Sequence, residues 1–98
     1  MRLLVDEINS IRSTFLHIFK KGDIYLFGSR VDDSKKGGDI DLYLDLEENF
    51  TTKKIMELKS KFRLGLYELI GEQKIDIVIS KDKKRSIEKE ILLTGIML

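Results

Sequence analysis

Residues Tyr25–Leu46 read YLFGSRVDDSKKGGDIDLYLDL, and two patterns inside this stretch decide the fold. The run IYLF before Gly28 is too short for a helix and rich in aromatic and β-branched types, which predicts a buried strand over Asp23–Phe27. Gly28-Ser29 follows at once, and the polar segment from Arg30 to Gly38 closes on the turn pair Gly37-Gly38. From Asp39 to Glu47 the chain then alternates: Ile40, Leu42, Leu44 and Leu46 fall on one side, Asp39, Asp41, Tyr43, Asp45 and Glu47 on the other. This is a second strand with one apolar face and one acidic face.

Towards the N-terminus, Leu4, Ile8, Ile11, Phe15 and Ile18 recur at helical spacing, predicting an amphipathic helix over Leu4–Phe19. It ends near Lys20, Lys21 and Gly22, where basic residues and a glycine suit a helix C-terminus. Beyond the acidic strand, Thr51 or Thr52 is placed to cap a helix whose stripe is Ile55, Leu58, Phe62, Leu66, Leu69 and Ile70, closed by Gly71. KIDIVIS, Lys74–Ser80, predicts a third strand, and a last helix is expected over about Lys83–Leu93 with Asp82 as its cap. The order helix, strand, strand, helix, strand, helix defines an α/β (α+β) domain, a small mixed sheet flanked by helices.

The chain has 98 residues, no linker and no repeat, so one domain over residues 1–98 is expected. Cysteine is absent, which excludes disulfides and thiolate metal sites. Charged residues make up 36% of the chain but balance to +1, so no general attraction to nucleic acid is expected. No apolar run approaches the ~20 residues of a membrane span, and Asp6 and Glu7 come too early for a secretory signal. These features read as a soluble, cytoplasmic protein. The scarcity of Asn and Gln beside abundant Lys and Glu leans towards a thermophilic source or a biased genome.

Three aspartates are the candidate chemistry. Asp39 and Asp41 leave one face of a strand roughly 7 Å apart, and Asp76, flanked by Ile75 and Ile77, reaches the same spot if its strand pairs alongside. Clustered carboxylates repel one another. Magnesium removes that cost, because it takes one or two carboxylates together with substrate phosphates. Two such ions ~3.5–4 Å apart clamp a phosphoryl transfer. An acidic strand face is more often simply solvated, and Asp45 and Glu47 are read that way. An aspartate inside the apolar run IDIVI is harder to explain so. Tyr43 is either a surface residue or a cover for a nucleobase. Gly28 permits close backbone approach, Ser29 offers a hydroxyl and Arg30 a charged fork to phosphate, although Gly-Ser after a strand is usually an ordinary turn.

A hydrophobic strand ending in Gly28-Ser29, nine residues, Asp39-Ile40-Asp41 and then Asp76 on a later strand resembles the nucleotidyltransferase superfamily that shares the polymerase β palm. The resemblance covers essentially the whole chain, which looks in particular like the minimal nucleotidyltransferases of prokaryotes, often encoded beside all-helical HEPN proteins. It implies that Asp39 and Asp41 bind two magnesium ions. Asp76 would bind the catalytic ion and help activate the nucleophile, and Gly28, Ser29 and Arg30 would hold the triphosphate. It further implies ATP as substrate, AMP as the transferred group, and a tyrosine of a HEPN toxin as acceptor, with this chain as antitoxin. The chain departs from the pattern at Gly38, where relatives often carry a polar residue, and at the acidic Asp32-Asp33. One domain leaves little room for an acceptor, so a partner in trans is expected. The apolar tail ILLTGIML either joins that interface or packs on its own core, the commoner case.

Three other readings compete: neutralisation of a toxin by contact alone, modification of a small molecule of the aminoglycoside type, and a HEPN-type nuclease built on Arg12 and His17. The strands argue against the last, because that fold is all-helical.

Overall fold

The computed structural model describes residues 5–28 and 39–98. Leu4, Ser29, Arg30, Asp32, Asp33 and the Gly37-Gly38 turn lie outside the described residues. The elements are α1 (Val5–Phe19), β1 (Asp23–Phe27), β2 (Ile40–Asp45), α2 (Thr52–Ile70), β3 (Ile75–Ile79), α3 (Ser86–Thr94) and β4 (Ile96–Met97). The strands form one mixed sheet in the order β3-β2-β1-β4. β1 runs antiparallel to β2 and to β4, whereas β2 and β3 are parallel. The expected class, a small mixed sheet flanked by helices, is the observed one.

The apolar face of β2 forms the centre of the core. Ile40, Leu42 and Leu44 are fully buried and cluster with Ile11, Phe15 and Phe19 of α1, with Leu58, Phe62 and Leu66 of α2, and with Ile75 and Ile77 of β3. Phe15, Phe19 and Phe62 meet through tilted and edge-on contacts at centroid separations of 5.4–6.4 Å. Such packing adds ~0.5–1.5 kcal/mol per pair beyond the buried area. Truncating Phe62 to alanine would cost about 3–5 kcal/mol. At the start of α2, Thr51 caps by accepting a hydrogen bond from Lys54 N at 3.2 Å, which satisfies one of the amides a helix start leaves open.

Several expectations are corrected. Leu69, assigned to the stripe of α2, is 60% exposed, whereas Leu66 is buried in the core and Tyr67 and Ile70 pack against it. α3 begins at Ser86, and Arg85 occupies its cap position without a side-chain bond. Asp82 instead closes the preceding turn, its Oδ1 accepting from Lys84 N at 2.9 Å. The tail carries a strand that the pattern did not show: Ile96 and Met97 pair with Leu26 and Tyr25. The tail therefore packs on its own sheet, although Leu93 remains 84% exposed.

The acidic face of β2 is not uniformly open. Tyr43 is fully buried, and its hydroxyl donates to Glu88 of α3 at 2.7 Å. α3 therefore covers the middle of the sheet face opposite α1 and α2, which excludes both earlier readings of Tyr43. Asp45 is not a solvated carboxylate either. Its side chain is only 15% exposed and it meets Lys83 Nζ at 3.0 Å. Glu47 is exposed, as expected.

Candidate active site

The parallel pairing of β2 and β3 brings the two strand aspartates together. Asp41 lies directly opposite Asp76, one position along from Ile40–Ile75. Partners in register project from the same face, so the two carboxyl groups face the same side of the sheet, close enough for Asp76 to raise the titration of Asp41. On the other flank of β2, Asp41 lies opposite Phe27, the last residue of β1. This places Gly28 beside the carboxylate. Gly28 has φ +77°, and a Cβ built on it would collide with Asp41 Oδ2. The glycine is required twice over, for a backbone angle that L-residues avoid and for the space the carboxylate fills.

Asp41 titrates above the ordinary carboxylate range. Its partial burial contributes most, followed by the hydrogen bond with Asp76 and by the charges of Asp76 and Asp39, while Lys74 pulls in the opposite direction. Two carboxylates this close cannot both be charged without cost.

Asp39 stands slightly apart. It precedes β2, and its Oδ2 lies 3.5 Å from Lys74 Nζ, with both side chains well exposed. Among the described residues, no three His, Cys, Asp or Glu side chains converge closely enough to form a metal cage by themselves. The Asp41–Asp76 pair nonetheless suits a hard divalent ion, because magnesium typically takes one or two carboxylates and completes its shell with water and substrate phosphate. Ser29 and Arg30 lie outside the described residues, so of the three triphosphate candidates only Gly28 is seen, directly after β1 and beside Asp41.

A surface cleft of about 800 Å³ lies at the other end of these strands, lined by residues including Asp45, Phe50, Ile79, Ser80 and Lys83. Asp45 is four positions along the strand from Asp41, roughly 13 Å, so this cleft is distinct from the carboxylate pair.

Sequence reading missed two partnerships, Lys74 with Asp39 and Glu88 with Tyr43. For Glu88 a signal existed, since it stands three residues before the buried Ile91 and therefore on the inward stripe of α3. Arg12 and His17, by contrast, are both exposed on α1, and they belong to a domain with a four-stranded sheet, which removes the support for a HEPN-type nuclease.

A mixed sheet with paired aspartates on neighbouring parallel strands, set against a glycine that ends the adjoining strand, defines the polymerase β-like class of nucleotidyl-transferring domains. The chain belongs to the polymerase beta nucleotidyltransferase family, whose sequence profile matches residues 9–98. Its general function is accordingly nucleotidyl transfer, with a nucleoside triphosphate as substrate. No curated protein matches the chain significantly. Among the described residues, no helix is long and apolar enough to cross a membrane.

Proposed function

We propose that this domain transfers AMP from ATP to a hydroxyl of a protein partner in the cytoplasm, and that the acceptor is a tyrosine of a HEPN toxin for which this chain is the antitoxin. The observation that carries the chemistry is the Asp41–Asp76 pair facing across β2 and β3 against Gly28, within a chain of this family. The resemblance to the minimal nucleotidyltransferases supports the choice of partner. The near-neutral net charge of +1 supports a protein over a nucleic acid as acceptor.

In this reading Asp41 and Asp76, together with Asp39, would hold magnesium. Bound magnesium, two ions by the family resemblance, supplies charge neutralisation at the triphosphate and a lower barrier for the attacking hydroxyl. The residues of the chain position the reaction. Gly28 admits the phosphates close to backbone, with Ser29 and Arg30 contributing a hydroxyl and a guanidinium to them. Asp76 accepts the proton of the attacking hydroxyl. The oxygen of that hydroxyl forms a bond to the α-phosphorus as the bond to the β-phosphate oxygen breaks, and pyrophosphate leaves.

The test is transfer of label from ATP tagged at the α-phosphate, with magnesium, this protein and a lysate of its source organism. Label on a partner protein is expected with the unaltered chain and not with Asp39→Asn, Asp41→Asn. Capture of a partner by both forms without label would replace this reading with neutralisation by contact. Label on a small molecule would point to a drug-modifying enzyme.

A further inference from the structure

Glu88 is a buried charge that the transfer chemistry leaves unused. No part of it is exposed, and its partners come from separate segments of the chain. Tyr43 Oη and Lys81 N donate to Oε1 at 2.7 and 3.0 Å, and Asp82 N donates to Oε2 at 2.8 Å. Arg85 Nε lies 3.6 Å from Oε2. Burial alone would push the Glu88 carboxyl up, but the hydrogen bonds from Asp82, Tyr43 and Lys81 and the charge of Arg85 outweigh it and hold the group below the usual glutamate range.

A buried carboxylate is a costly means of fastening a helix, since apolar side chains of similar volume pack in such places at no loss of stability. It adds direction, because each oxygen accepts hydrogen bonds only within a limited range of angles. One side chain of α3 thereby fixes β2 through Tyr43 and the segment leaving β3 through Lys81 and Asp82. These are the strands that present Asp41 and Asp76. Tyr43 is two residues from Asp41 on the same face of β2, and the β2–β3 register that pairs Asp41 with Asp76 also pairs Tyr43 with Val78.

We propose that Glu88 and Tyr43 form a positioning unit for the carboxylate pair, holding β2 and β3 so that Asp41 and Asp76 accept one divalent cation between them. Neither residue touches the reacting atoms. The proposal rests on the reading of Asp41 and Asp76 as the metal-holding pair.

The experiment measures Mn²⁺ affinity without nucleotide, from the electron paramagnetic resonance signal of the free ion. It is run at a temperature where circular dichroism shows every protein fully folded. The proteins are the wild type, Tyr43→Phe, Glu88→Gln and Leu66→Ala, the last a core truncation on the opposite face of the sheet. Tyr43→Phe removes one oxygen and leaves Glu88 its backbone donors, so it folds even if Glu88→Gln does not. Tyr43→Phe is expected to weaken Mn²⁺ about tenfold, the lower end of what outer partners of a metal site contribute, with Leu66→Ala unchanged. Wild-type affinity in Tyr43→Phe, or equal weakening in Leu66→Ala, would overturn the proposal and leave Glu88 as an anchor of α3. Wild-type protein that binds no Mn²⁺ would remove the metal reading of the pair, and the proposal with it.

Discussion

Asp41 and Asp76 stand side by side on parallel strands, and the closeness of Asp76 helps to raise the titration of Asp41. A carboxylate pair that repels itself, and that is proposed above to hold the metal, makes a prediction with two signs. Asp41→Asn removes the repulsion and keeps the shape. It is expected to raise stability by about 0.5–1 kcal/mol, about 2–8 °C in melting temperature for a domain of this size, while abolishing transfer. Thermal melts beside a label-transfer assay check both. A variant that melts lower and still transfers would sink the assignment.

Gly28 and Gly71 both have positive φ, but only Gly28 has a neighbour in the way. Gly71 ends α2 with φ 84°, ψ 167°, and a Cβ there meets nothing within 4 Å. Gly71→Ala should therefore cost only backbone strain, about 1–3 kcal/mol, and leave transfer intact at temperatures where it is folded. Gly28→Ala carries comparable strain and also displaces the Asp41 carboxylate. Its activity should fall by about 10²-fold or more, the scale of a misplacement near 1 Å. Specific activities of the folded variants separate the two effects.

The same physics explains how much was legible in advance. The alternation from Asp39 to Glu47 and the run IYLF report burial on a period of two, so β1 and β2 were plain, and Thr51 and Gly71 marked the ends of α2 by their chemistry. The meeting of Asp41 with Asp76 was legible only conditionally. Nothing local in KIDIVIS says which strand it pairs with, and the α2 crossover settles that by making β2 and β3 parallel neighbours. Burial of Tyr43 was hidden for a similar reason, since it depends on α3, more than 40 residues away in the chain. β4 was hidden because Ile96 and Met97 continue an apolar run that reads equally well as the end of a helix, and their pairing with β1 is a long-range fact.

Glu88 and Asp41 make opposite demands on pH. Asp41 is raised in the folded protein, so the native state takes up a proton first, and stability increases as pH falls through that raised value. Glu88 is lowered from 4.5. The stability it contributes is therefore present above the unfolded value and is lost as pH falls through the lower, folded one. The metal-free melting temperature should rise on mild acidification and then drop. Asp41→Asn should remove the rise and keep the drop. Glu88→Gln should weaken the drop, at a cost of about 1.5–3 kcal/mol at neutral pH from lost hydrogen bonds to a charged group. A melting series across acid pH for the three proteins tests each sign.

Lys74 gives the remaining lever on the site. Its ammonium lies 3.5 Å from Asp39 Oδ2, with the lysine side chain 70% exposed, and it draws the Asp41 carboxyl downward against the other influences on it. Exposed ion pairs contribute little to stability, so Lys74→Gln should melt within about 0.5 kcal/mol of the wild type. Its effect belongs to protonation. Without the lysine Asp41 titrates higher, so the acidic limb of the pH–activity profile should move to higher pH. Because both side chains are accessible to ions, the shift should be visible at low ionic strength and fade towards 1 M salt, where the screening length falls to ~3 Å. Profiles of wild type and Lys74→Gln at two salt concentrations test this. A limb that does not move at low salt would mean that another group, and not Asp41, must lose its proton before transfer.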